Sequence, residues 1–113
     1  MRSKRASQGK TLKVYVKVHP TGQRYGNRFV IAVCDKGLIG KTLKEGKLQV
    51  HISARFYQGE LRSDNEVIAL LKDATNANIM GKHAVDLAAQ AGMIDKKNVR
   101  KIKGIPHAQA TAF

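Results

Sequence analysis

Few residues of this 113-residue chain are of types that do chemistry. Cys34-Asp35 sets a thiol beside a carboxylate. A nucleophilic thiol needs a base and an electropositive setting. His19, His51, His83 and His107 are the candidate bases, and no spacing pairs one of them with Cys34. A cysteine that ends an apolar strand is more often packing, and these five residues show no metal-ligand spacing. Gly37-Leu38-Ile39-Gly40-Lys41-Thr42 ends like a phosphate-binding P-loop. Its first glycine stands three residues before Gly40, where the motif needs five, and Gly46 forbids the helix that should follow Thr42. Gly104-Ile105-Pro106-His107-Ala108-Gln109 is another kind of signal. His107 and Gln109 offer groups for a base edge, a sugar hydroxyl or the backbone, within what reads as a turn set by Pro106. None of these makes a convincing active site, and the sequence predicts neither enzyme activity nor a cofactor or metal.

Charge is the dominant feature. Lys and Arg number 21 against 8 Asp and Glu, a formal net charge of +13. Such an excess attracts polyanions. The cations cluster at Arg2, Lys4, Arg5 and Lys10; at Arg24 and Arg28; at Lys36, Lys41, Lys44 and Lys47; and at Lys96, Lys97, Arg100, Lys101 and Lys103. Each cluster alone is also what a solvated face looks like. Together with the net charge they read as a footprint for a polyphosphate. Aromatics make up 5% with no Trp, so base stacking is not expected to dominate. A membrane surface would need an apolar insertion face that the chain does not suggest. One cysteine allows no internal disulfide. The longest apolar run, Phe29 to Cys34, is too short to span a bilayer. A soluble, cytoplasmic protein is expected.

The elements that must position these residues read as follows. Residues 1–10 form a disordered basic arm, and residues 11–113 a single α+β domain. Leu12 to Val18 alternates as a half-buried strand. A turn follows, and Arg28 to Cys34 is a second strand buried on both faces, so the two form a hairpin. Asp35 to Gly46 reads as a loop. Lys47 to Ser53 is a third strand with Leu48, Val50 and Ile52 inward, and Phe56 and Tyr57 cap the sheet edge. Ser63-Asp64-Asn65-Glu66 has the capping-box form, opening a helix from Asp64 to about Thr75. A second helix is expected over Ile79–Ala91, with Met80, Ala84, Leu87, Ala88 and Ala91 on one face and Gly81 an awkward residue early in it. Val99–Lys103 reads as a strand, and Ala108–Phe113 as a short strand or a tail. The fold class is α+β, a small mostly antiparallel sheet with two helices packed on one side.

Cys34-Asp35, Leu38-Ile39-Gly40-Lys41, Phe56-Tyr57-Gln58-Gly59, Asn78-Ile79-Met80-Gly81 and Gly104-Ile105-Pro106-His107-Ala108-Gln109 together resemble an archaeal group of small proteins, domain-of-unknown-function family 424. The resemblance runs from about Leu12 to Ala110. It implies a compact α+β domain from an archaeal cytoplasm, and no catalytic residues to carry over. The basic arm and the low acid count depart from the family pattern and look like an addition suited to RNA.

The expectation is therefore a ribosome-associated protein, an archaeal ribosomal protein in the fullest form of the reading. Its partners would be ribosomal RNA and neighbouring ribosomal proteins, with no membrane and no small-molecule substrate. The arm would thread among phosphates. Arg24, Arg28, Lys36, Lys41, Lys44, Lys96, Lys97, Arg100, Lys101 and Lys103 would hold the backbone from the domain, with His107 and Gln109 alongside. Two other readings stand beside it. One is a nucleic-acid or nucleotide enzyme in which Cys34, Asp35, Lys41 and His107 meet in a cleft. The other is a translation adaptor using the uncharged face around Phe56, Tyr57 and Phe113.

Overall fold

Alternation builds the first hairpin. The structure, a computed structural model, describes residues 12–20 and 29–111. The expected arm with Arg2, Lys4, Arg5 and Lys10, the turn with Arg24 and Arg28, and Phe113 lie outside them. Strand β1 (Val14–Pro20) buries Val14 and Val16 and leaves Tyr15 and Lys17 half-buried on the other face. Strand β2 (Phe29–Asp35) pairs with it antiparallel, from Val14↔Asp35 to Pro20↔Phe29. Ile31, Ala32, Val33 and Cys34 are all buried, as an unbroken apolar run in a central strand requires.

The next segment corrects the sequence reading. Asp35–Gly46 is not all loop. After a 3-10 turn at Lys36–Leu38, strand β3 (Thr42–Glu45) turns through Gly46-Lys47 into β4 (Leu48–His51), paired from Thr42↔His51 to Glu45↔Leu48. Gly46 has φ 61°, the conformation such a two-residue turn needs. Leu43 is the only apolar residue in β3, so no alternation was there to read. The strand expected at Lys47–Ser53 pairs with β3 alone and stays outside the main sheet. Ile52 is buried, but Leu48, expected inward, is 43% exposed.

Ser53 caps the short helix α1 (Ala54–Tyr57), and β5 (Glu60–Arg62) pairs antiparallel with β1. Helix α2 (Asp64–Lys72) opens on the expected capping box. The Glu66 backbone N–H donates to Ser63 Oγ, and the Ser63 N–H donates to the Glu66 carboxylate. These bonds hold the Glu66 carboxyl below its usual range.

The helix expected from Ile79 is a strand first. Strand β6 (Asn76–Met80) precedes helix α3 (Lys82–Gln90), and Gly81 between them has φ 112°. Ala84, Leu87 and Ala88 hold as the buried face of that helix. Met80 belongs to the sheet. Strand β7 (Arg100–Ile102) and β8 (Ile105–Thr111) complete the fold. The turn expected over Gly104–His107 is confined to Lys103-Gly104, and His107 lies within β8.

The main sheet runs β5-β1-β2-β6-β8-β7. It is antiparallel except for β2 and β6, paired in parallel from Ile31↔Ala77 to Cys34↔Met80. Helices α2 and α3 cover one face through Val67, Leu71, Ala84, Val85, Leu87 and Ala88, packed on Val14, Val16, Ile31, Val33, Ile79 and Ala108. The opposite face carries Ala32, Cys34, Met80 and Ile102 under Leu43, Ile52 and Tyr57. Phe56 and Tyr57 therefore pack over this sheet face and do not cap an edge. The mixed α+β class with two helices on one side is the one expected. The hairpin on the other side is what the sequence concealed.

Asp35 joins these layers. Its Oδ1 accepts from the Ala84 N–H at 2.8 Å and its Oδ2 from the His83 N–H at 3.1 Å. The carboxylate at the end of β2 thus caps α3, whose own N-cap residue is a glycine with no side chain to offer. Gly81 lies so close that a Cβ there would overlap the Asp35 side chain. Replacing Asp35 by Ala leaves two helix donors unmet and should lower the unfolding free energy by about 2–3 kcal/mol. Gly81→Ala should cost at least as much, through overlap and the left-handed φ. Urea midpoints unchanged from wild type would refute this role.

Candidate nucleic-acid interface

The three segments Phe56–Gly59, Asn78–Gly81 and Gly104–Gln109 are far apart in sequence and meet on the hairpin side of the sheet. Residues directly opposite in a sheet share a face, so Asn78 (β6) stands beside Gln109 (β8), and Met80, His107 and Arg100 form the adjacent row across β6, β8 and β7. Tyr57 reaches down from α1. Its hydroxyl donates to Asn78 Oδ1 at 2.6 Å, and His107 Nε2 lies 3.2 Å from the same oxygen. Burial, and secondarily Cys34 nearby, push the Tyr57 phenol up to about 12, so it remains a donor. His107 is held below the usual histidine range by burial and then by the Arg100 guanidinium. It is the neutral imidazole at physiological pH, and with Asn78 Oδ1 able only to accept, Nε2 carries the proton.

The flanking residues hold this chain in place. Phe56 stacks on His19 with centroids 4.6 Å apart, and His19 Nε2 bonds the Phe56 carbonyl at 2.7 Å. Gln58 Nε2 donates to the Tyr15 hydroxyl at 3.3 Å. Gly59 presses on the Val16 carbonyl, where a Cβ would overlap it. The Gly81 N–H donates to the Pro106 carbonyl at 2.9 Å, locking β6 to β8.

The structure distributes the expected cations unevenly. Arg100, Lys101 and Lys103 lie exposed on β7 and its turn, at the sheet edge. Arg100 shares the face of His107. Lys101, one residue on, turns to the helical face, where it lines a groove with Lys82, Val85, Asp86, Lys96, Val99 and Pro106. Strand β3 lies against β7, and the Lys103 backbone N–H donates to the Glu45 carboxylate. That contact brings Lys44 to the same edge, with Lys41 at the start of its strand and Lys47 in the hairpin turn. Lys36 stands apart at the end of β2, its N–H bonded to the Lys13 carbonyl. Lys96 and Lys97 are partly engaged, by Asp86 at 3.4 Å and Asp95 at 3.9 Å. Gln109 is exposed.

The thiol of the nucleotide-enzyme reading is sealed in. Cys34 is fully buried, and burial, then Asp35, push its thiol up to about 12. Both oxygens of Asp35 are committed to α3. Thr42 opens a strand, so the Gly-Lys-Thr segment has no helix N-terminus to cradle a phosphate. Tyr57 and Asn78 are the members of the polar chain that sequence reasoning did not assign to it. Asn78 stands just before the helix expected from Ile79, and only the alternation of Asn76-Ala77-Asn78-Ile79 could have marked it as a strand residue facing away from the helices.

A family model described as "Protein of unknown function (DUF424)" matches residues 23–113. The chain is similar to the crystal structure of an uncharacterized conserved protein from Methanopyrus kandleri, with a TM-score of 0.76 and 25% identity over 89% of this chain and 94% of that one. No curated protein matches.

Two outcomes follow from the buried groups. At pH 8 in native buffer Cys34 should react with a disulfide reagent at least a hundredfold more slowly than in denaturant; equal rates would contradict its burial. His107, with its folded pKa lowered, binds fewer protons than the unfolded chain does just below about pH 6.5. Its contribution should therefore lower stability as pH falls through that range, and an NMR titration should place the imidazole below the usual histidine value. A titration at or above that value would show the site to be solvated or paired with an acid.

Proposed function

The chain belongs to the DUF424 family of proteins of unknown function, and we propose that it binds RNA, as a ribosome-associated protein whose β7 edge and β3–β4 hairpin lie against phosphates. The supporting observation is a segregation of charge along the chain. Lys96 to Lys103, which runs into the edge strand β7, holds five cations and no acid, while Glu60 to Asp73, which runs from the opposite edge strand β5 into α2, holds four of the chain's eight acids with only Arg62 and Lys72. Most acids are also occupied within the protein. Asp35 caps α3, Asp64 bonds His83 at 2.8 Å, Glu60 and Glu66 flank Arg62, and Asp86 and Asp95 meet lysines. Among the described residues, Arg100, Lys101, Lys103, Lys41, Lys44 and Lys47 form no ion pair. Lys13, Lys17, Lys36, Arg55 and Lys72 are likewise unpaired elsewhere among the described residues, so it is the density of cations at this edge that suits a polyphosphate backbone.

RNA is favoured over DNA by the helices. The outward positions of α2 and α3 mix Asp64, Glu66 and Asp86 with Lys72 and Lys82, so neither helix has the basic face that enters a major groove. In this reading Arg2, Lys4, Arg5 and Lys10 extend the contact along ribosomal RNA, neighbouring ribosomal proteins complete the setting, and the compartment is the cytoplasm. Among the described residues no helix is long and apolar enough to cross a membrane.

Binding to ribosomal RNA should weaken steeply with salt, by about a thousandfold between 50 and 200 mM for six or more phosphate contacts. Lys44→Ala, Lys101→Ala and Lys103→Ala should each flatten the logarithmic slope by about one unit, whereas Glu60→Gln should leave it steep. On sucrose gradients of native lysate the protein should co-migrate with ribosomal particles at low salt. A flat salt response, or a protein found only at the top of the gradient, would defeat the reading.

A further inference from the structure

The Tyr57–Asn78–His107 chain leaves a specific set of hydrogen-bonding groups unused. Asn78 Oδ1 is taken by the Tyr57 hydroxyl and by His107 Nε2. Among the described residues, the two Asn78 Nδ2 donors and His107 Nδ1 have no partner, and Gln109 Nε2 and Oε1 have none either. All three side chains stand on one face of β6 and β8, Asn78 directly opposite Gln109. Asn78 and His107 are only half-buried and Gln109 is exposed, so this face is within a ligand's reach. The neutral imidazole offers an acceptor beside the amide donors, which a charged histidine would not.

Donors and an acceptor side by side are what the polar edge of an unpaired nucleobase requires, since each base edge sets acceptors beside donors. The surroundings favour a nucleotide over an uncharged polar ligand. Arg100, directly opposite His107 across β7 and β8, can hold the phosphate of the nucleotide whose base is read. Tyr57 fixes the Asn78 amide, so the reading groups are set before the ligand arrives. From this geometry we infer that Asn78, His107 and Gln109 form a subsite for one unpaired nucleobase, with Arg100 on its phosphate. The inference rests on the RNA reading above and adds to it a site that distinguishes a base from bare backbone.

The test compares two single-stranded RNAs of one length and backbone, one with normal bases and one abasic throughout, bound to the full chain at moderate salt. Wild type should prefer the base-bearing strand by roughly tenfold. Gln109→Ala, at an exposed position that cannot upset the core, and His107→Ala should each lower affinity for the base-bearing strand severalfold. Neither should change affinity for the abasic strand or the slope with salt. The Asn78 and Gln109 side-chain amide signals should shift only with bases present. If wild type binds both strands equally, with a steep salt slope, the subsite is refuted and the RNA reading stands. The subsite is refuted as well if folded Gln109→Ala and His107→Ala proteins retain the full preference for bases. If wild type binds neither strand, the RNA reading falls and this inference with it.

Discussion

The fold depends on one carboxylate at the end of its central strand. A helix begins with backbone N–H groups that nothing within the helix can satisfy, and α3 begins immediately after β6 with a glycine in its capping place. Asp35 supplies the missing acceptors from β2, 48 and 49 residues away in sequence. Because β2 and β6 are parallel neighbours, their ends come out on the same side of the sheet, and the carboxylate is already beside the helix it caps. Gly81 is the complement: only a residue without Cβ leaves room for Asp35 and also reaches a φ of 112°. The Cys-Asp pair that looked chemical in sequence is thus explained by packing for the thiol and capping for the acid.

From that fixed point the two faces of the sheet acquire different work. The helical face is apolar and close-packed, with Ala84 and Ala88 letting α3 approach the strands. The other face is closed only in part by a hairpin and one turn of helix. Beneath that partial cover polar side chains from three separate segments, Tyr57, Asn78 and His107, are brought together. Asn78 can sit in a central strand because Tyr57 and His107 both bond its oxygen; unpaired at that depth, the amide would cost the protein one or more kcal/mol. The partial cover leaves the same groups within reach of solvent, and hence of a ligand.

Charge follows the topology as well. The order β5-β1-β2-β6-β8-β7 sets β5, which leads into the acidic α2, at one edge and β7, at the end of the basic 96–103 segment, at the other. Strand β3 docks on β7 and adds the hairpin lysines to that second edge. There the cations crowd together, while most of the acids are used as caps and partners elsewhere.

The sequence determined the classes of contribution: a basic chain of α+β type, the β1–β2 hairpin from strict alternation, the doubly buried second strand from its unbroken apolar run, and α2 from its capping box. These are local signals, set by side-chain period and by bonds between residues three apart. It also marked His107 and Gln109. It did not determine β3, whose single leucine shows no period, or β6, whose last residues Ile79 and Met80 merge with the helix that follows when read at helical spacing. Nor did it reveal that Tyr57 and Asn78 belong with His107. Those outcomes were decided by tertiary structure, because pairing between distant strands and the capping of a helix by a carboxylate from another layer are relations between segments, and no local pattern encodes which partner a segment will find.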